Sequence, residues 1–443
     1  MKTKLSEVIS LCKKLDAARQ QTSAPDEFQL AGLNLFEYSS FRLSVGCNNQ
    51  RTIGFSMMKA ALYRGFRSAP NKETQDNADG IIISSSSCDH ANVQFYIKSM
   101  SGLNHLRYII KDQLSFRDQF DIREWLSWFV FAFAQSIRII FSKERSNRAL
   151  TIIEVLEIAL LMKIVEQQRI QKIFDFVPFE VDSNLLYLCT RRLGAKTTKI
   201  PSPGPLSMHN SIVLTDTLVL SSGYHFEELP LLKKNFRFVE QIIWAPERAH
   251  TYYHLYTLKD YPEQRKHIGF YSHGEWVRKI KGLVKETSSL LSAEDETLRM
   301  LGQWVHEHRD YTLTIYPHPK ERKSFDAEAL TEYYRKTIGH THFKLASADK
   351  GTTLRFHEVD VAVTCYSTII FERLYCGFKT IIKKIDEHEF PKSDSPLNSV
   401  CFENYDELEK LLLQCESLTD ADFFKTFALD KYLHHHYPTP KAQ

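Results

Sequence analysis

Two stretches end an apolar run in residues suited to holding a phosphate. In the first, Leu313-Thr314-Ile315-Tyr316 is followed by Pro317-His318-Pro319-Lys320. In the second, Val359-Asp360-Val361-Ala362-Val363-Thr364-Cys365 is followed by Tyr366-Ser367-Thr368. Short β-branched runs bounded by polar turns read as buried strands. Ile369 to Cys376 then reads as a helix closed by Gly377, and Lys379-Thr380-Ile381-Ile382 opens another strand. A strand that delivers Ser and Thr to the first turn of a helix sets hydroxyls and free backbone N–H groups at the positive end of the dipole, where a phosphate can sit. The chemistry expected is the grip of a nucleotide's anionic end.

The elements that position these turns alternate along the chain. Ile81-Ile82-Ile83 reads as a buried strand entering the polar loop Ser85 to His90, Ile173 to Val177 as another strand, and Leu185 to Leu193 as a helix capped by Gly194. Apolar runs follow at Thr197 to Ile200, Thr217 to Leu220 and Gln241 to Trp244. Beyond a linker expected within Tyr252 to Lys266, His267 to Tyr271 reads as a strand running into the turn Ser272-His273-Gly274, with a helix from Glu275. Helices are expected over 294–308, 327–338 and 418–433, the last with Thr419 as N-cap, another after Asn404, and a strand over 342–345. Strand and helix in alternation argue for parallel sheets with helices on both faces. The sequence thus predicts an α/β chain of two Rossmann-like domains: residues 1–262, opening with a helix over 1–23 and carrying a helical insertion at about 121–169, and residues 263–443.

Composition narrows the function. A chain of 443 residues suits two domains of roughly 200 residues each. With 43% hydrophobic and 25% charged residues it reads as globular, and a net charge of +3 implies no large nucleic-acid footprint. Its eight cysteines form no C-x-x-C pair and read as reduced thiols of a cytoplasmic protein. The first residues lack the apolar core of a signal peptide. The segment Trp125 to Ile140 falls short of about 20 clean apolar residues and reads as a buried helix. Its alternative is a helix lying in a membrane interface, with Arg138, Lys143, Glu144 and Arg145 outside. The run His434-His435-His436 has no carboxylate or thiol nearby and reads as an exposed terminal helix, so no metal site is expected.

No G-x-G-x-x-G after a strand, Walker loop, H-E-x-x-H or G-x-S-x-G elbow occurs, which removes the dehydrogenase, P-loop, zincin and hydrolase readings. The pair His318-Pro319 and the pair Ser367-Thr368, with Phe371-Glu372 one turn into the next helix, resemble motifs of another group. They are similar to those of the GT-B glycosyltransferases of bacterial surface-polysaccharide synthesis, in particular the sialyltransferase, Kdo-transferase and glycerophosphotransferase groups that use CMP- or CDP-activated donors. The resemblance covers about residues 265 to 410. It implies two domains facing across a cleft, and a glycosyltransferase that needs no metal or cofactor beyond its nucleotide-sugar donor.

On that resemblance His318 would stabilise the departing phosphate from its ring, with Pro319 holding the backbone extended. Lys320 and Arg322 would add charge, Ser367 and Thr368 would bind phosphate, and Glu372 would accept from a ribose. Ser272 and Gly274 sit where the first strand of such a domain meets its first helix, close to donor phosphates. An inverting transfer needs a base on the first domain. Glu180, then Asp182, are favoured over Asp89-His90 and His209, because their turn opens directly onto a helix. The first half lacks the acidic-acidic-glycine run of sialyltransferases and the Trp-His-Gly run of glycerophosphotransferases, which leaves the donor sugar open. The expected reaction moves a sugar or sugar acid from a CMP-linked donor to a glycan or lipid-linked glycan of capsule or lipopolysaccharide, at the inner face of the membrane. The rivals are a CDP-alditol polyol-phosphate transferase, a UDP-sugar epimerase or transferase, and a non-catalytic assembly scaffold.

Overall fold

The computed structural model describes residues 78–84, 90–110, parts of 121–137, 161–176, 181–202, 204, 206, 213–232, 238–246, 248–257, 266–281, 289–340, 342–385 and 390–436. The helix expected over 1–23, Asp89, Glu180 and His209 lie outside them.

The first half contains β1 (Gly80–Ser84), α1 (His90–Ser101), β2 (Leu106–Ile110), β3 (Lys172–Asp175), α2 (Val181–Arg191), β4 (Lys196–Lys199), β5 (Leu214–Leu220), α3 (Gly223–Leu232) and β6 (Phe238–Trp244). Its strands form one six-stranded parallel sheet in the order β2-β1-β3-β4-β5-β6. Ile81, Ile82 and Ile83 are all fully buried, the continuous apolar run of a strand covered on both faces.

After α4 (His250–Thr257), the second half runs β7 (His267–Tyr271), α5 (Glu275–Ile280), α6 (Ser289–Glu307), β8 (Thr312–Tyr316), α7 (Pro319–Ser324), α8 (Ala327–Ile338), β9 (Lys344–Leu345), β10 (Val361–Thr364), α9 (Ile369–Tyr375), β11 (Thr380–Lys383), β12 (Cys401–Phe402), α10 (Tyr405–Ser417) and α11 (Asp420–Thr426). This sheet is also six-stranded and parallel, ordered β12-β11-β10-β7-β8-β9. That is the Rossmann order, whose direction reverses between β7 and β10, and ligands of such sheets bind outside the carboxyl ends at that reversal. The long helix α6 buries Leu290, Leu298, Leu301 and Trp304, an apolar stripe at helical spacing. It crosses α8 closely: a Cβ on Gly302 would lie 2.6 Å from the Ile338 carbonyl oxygen.

The structure revises several expectations. The helix expected from Glu294 begins at Ser289, and the strand expected over 342–345 is only Lys344–Leu345. Thr419 caps as expected, its side chain accepting from Asp422 N, but the helix stops at Thr426. Ala428, held at φ 54°, turns the chain into a short 3-10 segment at Asp430–Tyr432. Part of the expected linker is the ordered helix α4. His434 is not an exposed terminal residue, since its ring packs at 3.8 Å on Tyr253. The segment expected to be buried near 125–140 is helical at its described positions, yet Ile122, Leu126, Val130, Phe133 and Ile137 stand 81%, 56%, 60%, 42% and 41% exposed. Their spacing of three and four residues makes one apolar stripe facing solvent. No helix among the described residues is long and apolar enough to cross a membrane.

Contacts between the halves are specific. The Tyr224 ring of α3 lies 5.6 Å from Phe371 and 5.3 Å from Phe390, and its hydroxyl accepts from Lys392 N at 3.1 Å. From α4, His250 Nδ1 lies 2.6 Å from the Tyr375 hydroxyl. The end of the chain returns to the first half: Lys431 Nζ pairs with Glu227 at 2.7 Å, and Tyr432 donates to the same carboxylate.

Candidate functional site

Register brings three turns into one row. Tyr316 and Thr364 both pair with Tyr271, so two residues further on His318, His273 and Tyr366 emerge side by side from β8, β7 and β10. The rings bear this out, with His273 6.3 Å from His318 on one side and 6.3 Å from Tyr366 on the other. Two inter-strand steps, about 10 Å, separate the His318 turn from Ser367 and Thr368.

His318 is the N-cap of α7, with Pro319 at the first helical position, where the missing N–H costs nothing. Its Nδ1 accepts from Lys320 N at 3.1 Å, while Glu321 accepts from His318 N. An Nδ1 that accepts puts the ring proton on Nε2. Burial, reinforced by the Arg278 and Lys320 cations, lowers the ring to about 4. The imidazole is therefore neutral at physiological pH and carries an Nε2–H donor that no group among the described residues accepts.

Gly274, at φ 73°, caps α5 in the left-handed region open to glycine. A Cβ there would lie 3.0 Å from His318 Cβ and 3.2 Å from its Cγ, so glycine is what lets the first turn close onto the second. Arg278 adds charge beside them, 2.7 Å from Glu275 and 3.1 Å from His273 Nε2. Arg322 donates from Nη2 to the Ala346 carbonyl at 2.7 Å, which leaves its positive charge unneutralised by that contact.

Thr368 heads α9 without any side-chain capping bond, and Ser367 Oγ accepts only a long 3.4 Å contact from Ile369 N. Neither hydroxyl is consumed by capping. Since α9 has seven residues, its dipole is small, and the hydroxyls rather than the helix end are the donors offered. Glu372 is drawn to Thr353, whose Oγ1 donates at 3.2 Å, and to Arg248 of the first half at 4.0 Å. Burial raises its pKa against those two partners.

Beneath the row lies a carboxylate pair that sequence reading missed. Ser272 Oγ is 3.1 Å from Glu294 Oε1 and 3.0 Å from Glu321 Oε1, and it accepts from Gly274 N at 3.0 Å. Ser272 thus faces two buried carboxylate oxygens with a single hydroxyl proton. Glu321 already accepts from Trp276 Nε1, Tyr334 and His318 N. Burial pushes Glu294 up to about 7, against the His273 and Glu275 N–H groups and with the Glu321 charge adding to the rise. Ser272 thus belongs to the frame that locks the turns together rather than to their open face.

Removing that acid should be costly. Glu294→Ala leaves His273 N and Glu275 N without their acceptor and is expected to cost about 3 kcal/mol, lowering Tm by roughly 6–12 °C. A carboxyl whose folded pKa is raised binds its proton more tightly when native, so its contribution is complete below the ordinary carboxylate range and is lost as pH rises through about 7. The Tm gap between wild type and variant should narrow from pH 5 to pH 8, which calorimetry at the two pH values checks.

Across the site, the loop after β4 places Gly204 3.6 Å from the Thr368 methyl, counted from an ideal Cβ. Fully buried His225 lies between the carbonyls of Ser202 and Gly204, both at 3.1 Å from Nε2, and so pins that loop. Loops from the carboxyl ends of both sheets therefore face each other. Of the expected bases, Glu180 lies outside the described residues. Asp182 falls in the first turn of α2, with its side chain outside them. Among the described residues no three His, Cys, Asp or Glu side chains gather as metal ligands.

No family model matches the sequence, and no curated protein matches it. Solved structures are similar in arrangement. UDP-GlcNAc 2-epimerase from Neisseria meningitidis aligns over 80% of this chain and 95% of its own at 10% identity, TM-score 0.48. A glycosyltransferase from Rickettsia africae aligns over 80% and 93% at 15% identity, TM-score 0.42. The wall teichoic acid polymerase TagF aligns over 90% and 95% at 13% identity, TM-score 0.39. The chain has two Rossmann-like domains. Loops from the carboxyl ends of the two sheets meet where Gly204 approaches Thr368.

Proposed function

We propose that the protein is a glycosyltransferase that moves a sugar or sugar acid from a CMP-linked donor to a bacterial surface glycan. The observation that supports this reading is the row of turns at the reversal point of the second sheet, where His318 Nε2–H and the Ser367 and Thr368 hydroxyls meet no acceptor among the described residues. Breaking the bond to the sugar leaves charge on the nucleotide phosphate, and fixed donors aimed at that charge lower the barrier. His318 takes the departing phosphate, Lys320 and Arg278 supply positive potential, Ser367 and Thr368 bind the phosphate oxygens, and Gly274 allows close approach. Glu372 accepts from the ribose, with Arg248 orienting it. The acceptor enters from the first domain, where Glu180, or Asp182, removes the proton of its hydroxyl. The exposed stripe Ile122, Leu126, Val130, Phe133 and Ile137 supports peripheral contact with the cytoplasmic face of the membrane, where lipid-linked acceptors lie.

The test is a thermal-shift panel of CMP, CDP, UDP and GDP. A ligand that binds only the native state stabilises it by about 2.7 kcal/mol at a hundredfold excess over Kd, so the cytidine nucleotides should raise Tm most. A clear preference for UDP would overturn the donor assignment. Product analysis then separates the polyol-phosphate alternative, since only that reaction carries phosphorus into the polymer.

A further inference from the structure

At the opposite end of the first sheet from the cleft, a concavity of about 590 Å³ is lined by Arg169, Lys172, Arg192 and Lys196, with Glu166 the carboxylate among them. Four cations against one carboxylate leave an excess of three positive charges. None of the four has an ion-pair partner among the described residues, whereas neighbouring Arg191 pairs with Glu240 at 3.4 Å. Favourable placement at helix carboxyl ends explains Arg169 and Arg192, which follow helical residues 161–168 and α2. It does not explain Lys172 and Lys196, which each open a strand.

Those two lysines are direct register partners of β3 and β4. Neighbouring parallel strands run about 4.8 Å apart, and like charges directly opposite destabilise a sheet. Backbone geometry adds a second cost at the same place. Arg169 is held at φ 52° just past a helix end, a position that glycine commonly takes and that Gly194 takes at φ 81° on the other wall. A side chain with a Cβ is disfavoured there. Repulsion and strain therefore coincide on residues whose charge lines one hollow, and a bound anion offsets the repulsion.

We propose that this hollow is a second anion site, separate from the cleft, that takes a multiply charged phosphate or pyrophosphate group. The volume suits a small phosphorylated molecule or the headgroup of an anionic lipid. Lys163, on the helix that ends at the hollow, pairs at 3.1 Å with Glu124 of the helix bearing the exposed apolar stripe.

The experiment is calorimetric titration of the full chain with inorganic pyrophosphate in the presence of saturating CMP, repeated on Lys172→Gln/Lys196→Gln and on His318→Ala. The expected result is binding that weakens at least tenfold in the double variant and is unchanged in His318→Ala. The double variant should fold with an unliganded Tm no lower than wild type, because its change removes repulsion, and pyrophosphate should raise Tm only in the wild type. Flotation with neutral vesicles and with vesicles containing 20 mol% phosphatidic acid, a composition of roughly the charge density needed for such recruitment, distinguishes the sources. Recruitment to the anionic vesicles that the double variant loses assigns a lipid headgroup; pyrophosphate binding without recruitment assigns a soluble phosphate. Absence of pyrophosphate binding in the wild type, or equal binding in the double variant, overturns the site.

Discussion

His318→Ala should lower kcat by about 10²–10³, the loss measured when one fixed donor to a developing oxyanion is removed, or roughly 3–4 kcal/mol of barrier. The ring has two separable duties. Nδ1 caps α7 through Lys320 N, and loss of a cap costs about 1 kcal/mol of stability. Nε2–H, which no group among the described residues accepts, carries the effect on rate. His318→Asn should restore Tm, because an amide oxygen caps well, and should recover only part of the rate. Since burial lowers the ring to about 4, it is neutral throughout the usual assay range. The rate should then show no step near pH 6.5 from this group. The sign for stability runs the other way from Glu294: between about pH 4 and 6.5 the unfolded chain binds a proton that the native ring refuses, so this group's contribution falls as pH drops through that window. A rate for His318→Ala within threefold of wild type would sink the assignment.

Gly274→Ala should impair turnover through geometry alone. Two effects add. The backbone at φ 73° disfavours any Cβ by about 1–2 kcal/mol, and the new methyl would sit 3.0 Å from His318 Cβ. That neighbour is anchored to the backbone by its cap and cannot swing aside, so the imidazole must shift. Misplacement by even 1 Å can cost about 10²-fold in rate, and a loss of ten- to a hundredfold in kcat/KM for the donor is expected. Gly339→Ala is the matched control. It carries a similar penalty at φ 91° with nothing within 4 Å of the added methyl, so Tm should fall while kcat/KM is unchanged. Equal losses of activity in both variants would reduce Gly274 to a fold requirement.

Much of this site was legible because it is local. The strand Thr312–Tyr316, the proline after His318 and the apolar run before Ser367 each announce themselves within a few residues, and β-α alternation then fixes which ends of the strands lie together. The N-caps Asn404 and Thr419 were readable for the same reason. Glu321 was also within reach, since a polar cap followed three residues later by Glu is a capping-box signal. Glu294 was not. It stands in the middle of α6, and what marks it is its approach to Ser272 22 residues away, a tertiary fact with no local signature. The meeting of Arg248 with Glu372 across the halves was equally hidden, although Glu372 itself was named. Within the segment Trp125 to Ile140, read as a buried helix, the exposure of Leu126, Val130, Phe133 and Ile137 was not legible, because periodicity reports an apolar face without saying what covers it.

The return of Lys431 and Tyr432 to Glu227 makes this stretch of the second half a clasp on α3 of the first. A protein fastened at that point cannot part its halves like separate beads on a string. If the proposed function requires the gap between them to widen for an acceptor, that opening has to keep or break these contacts and the packing of Tyr224 on Phe371 and Phe390.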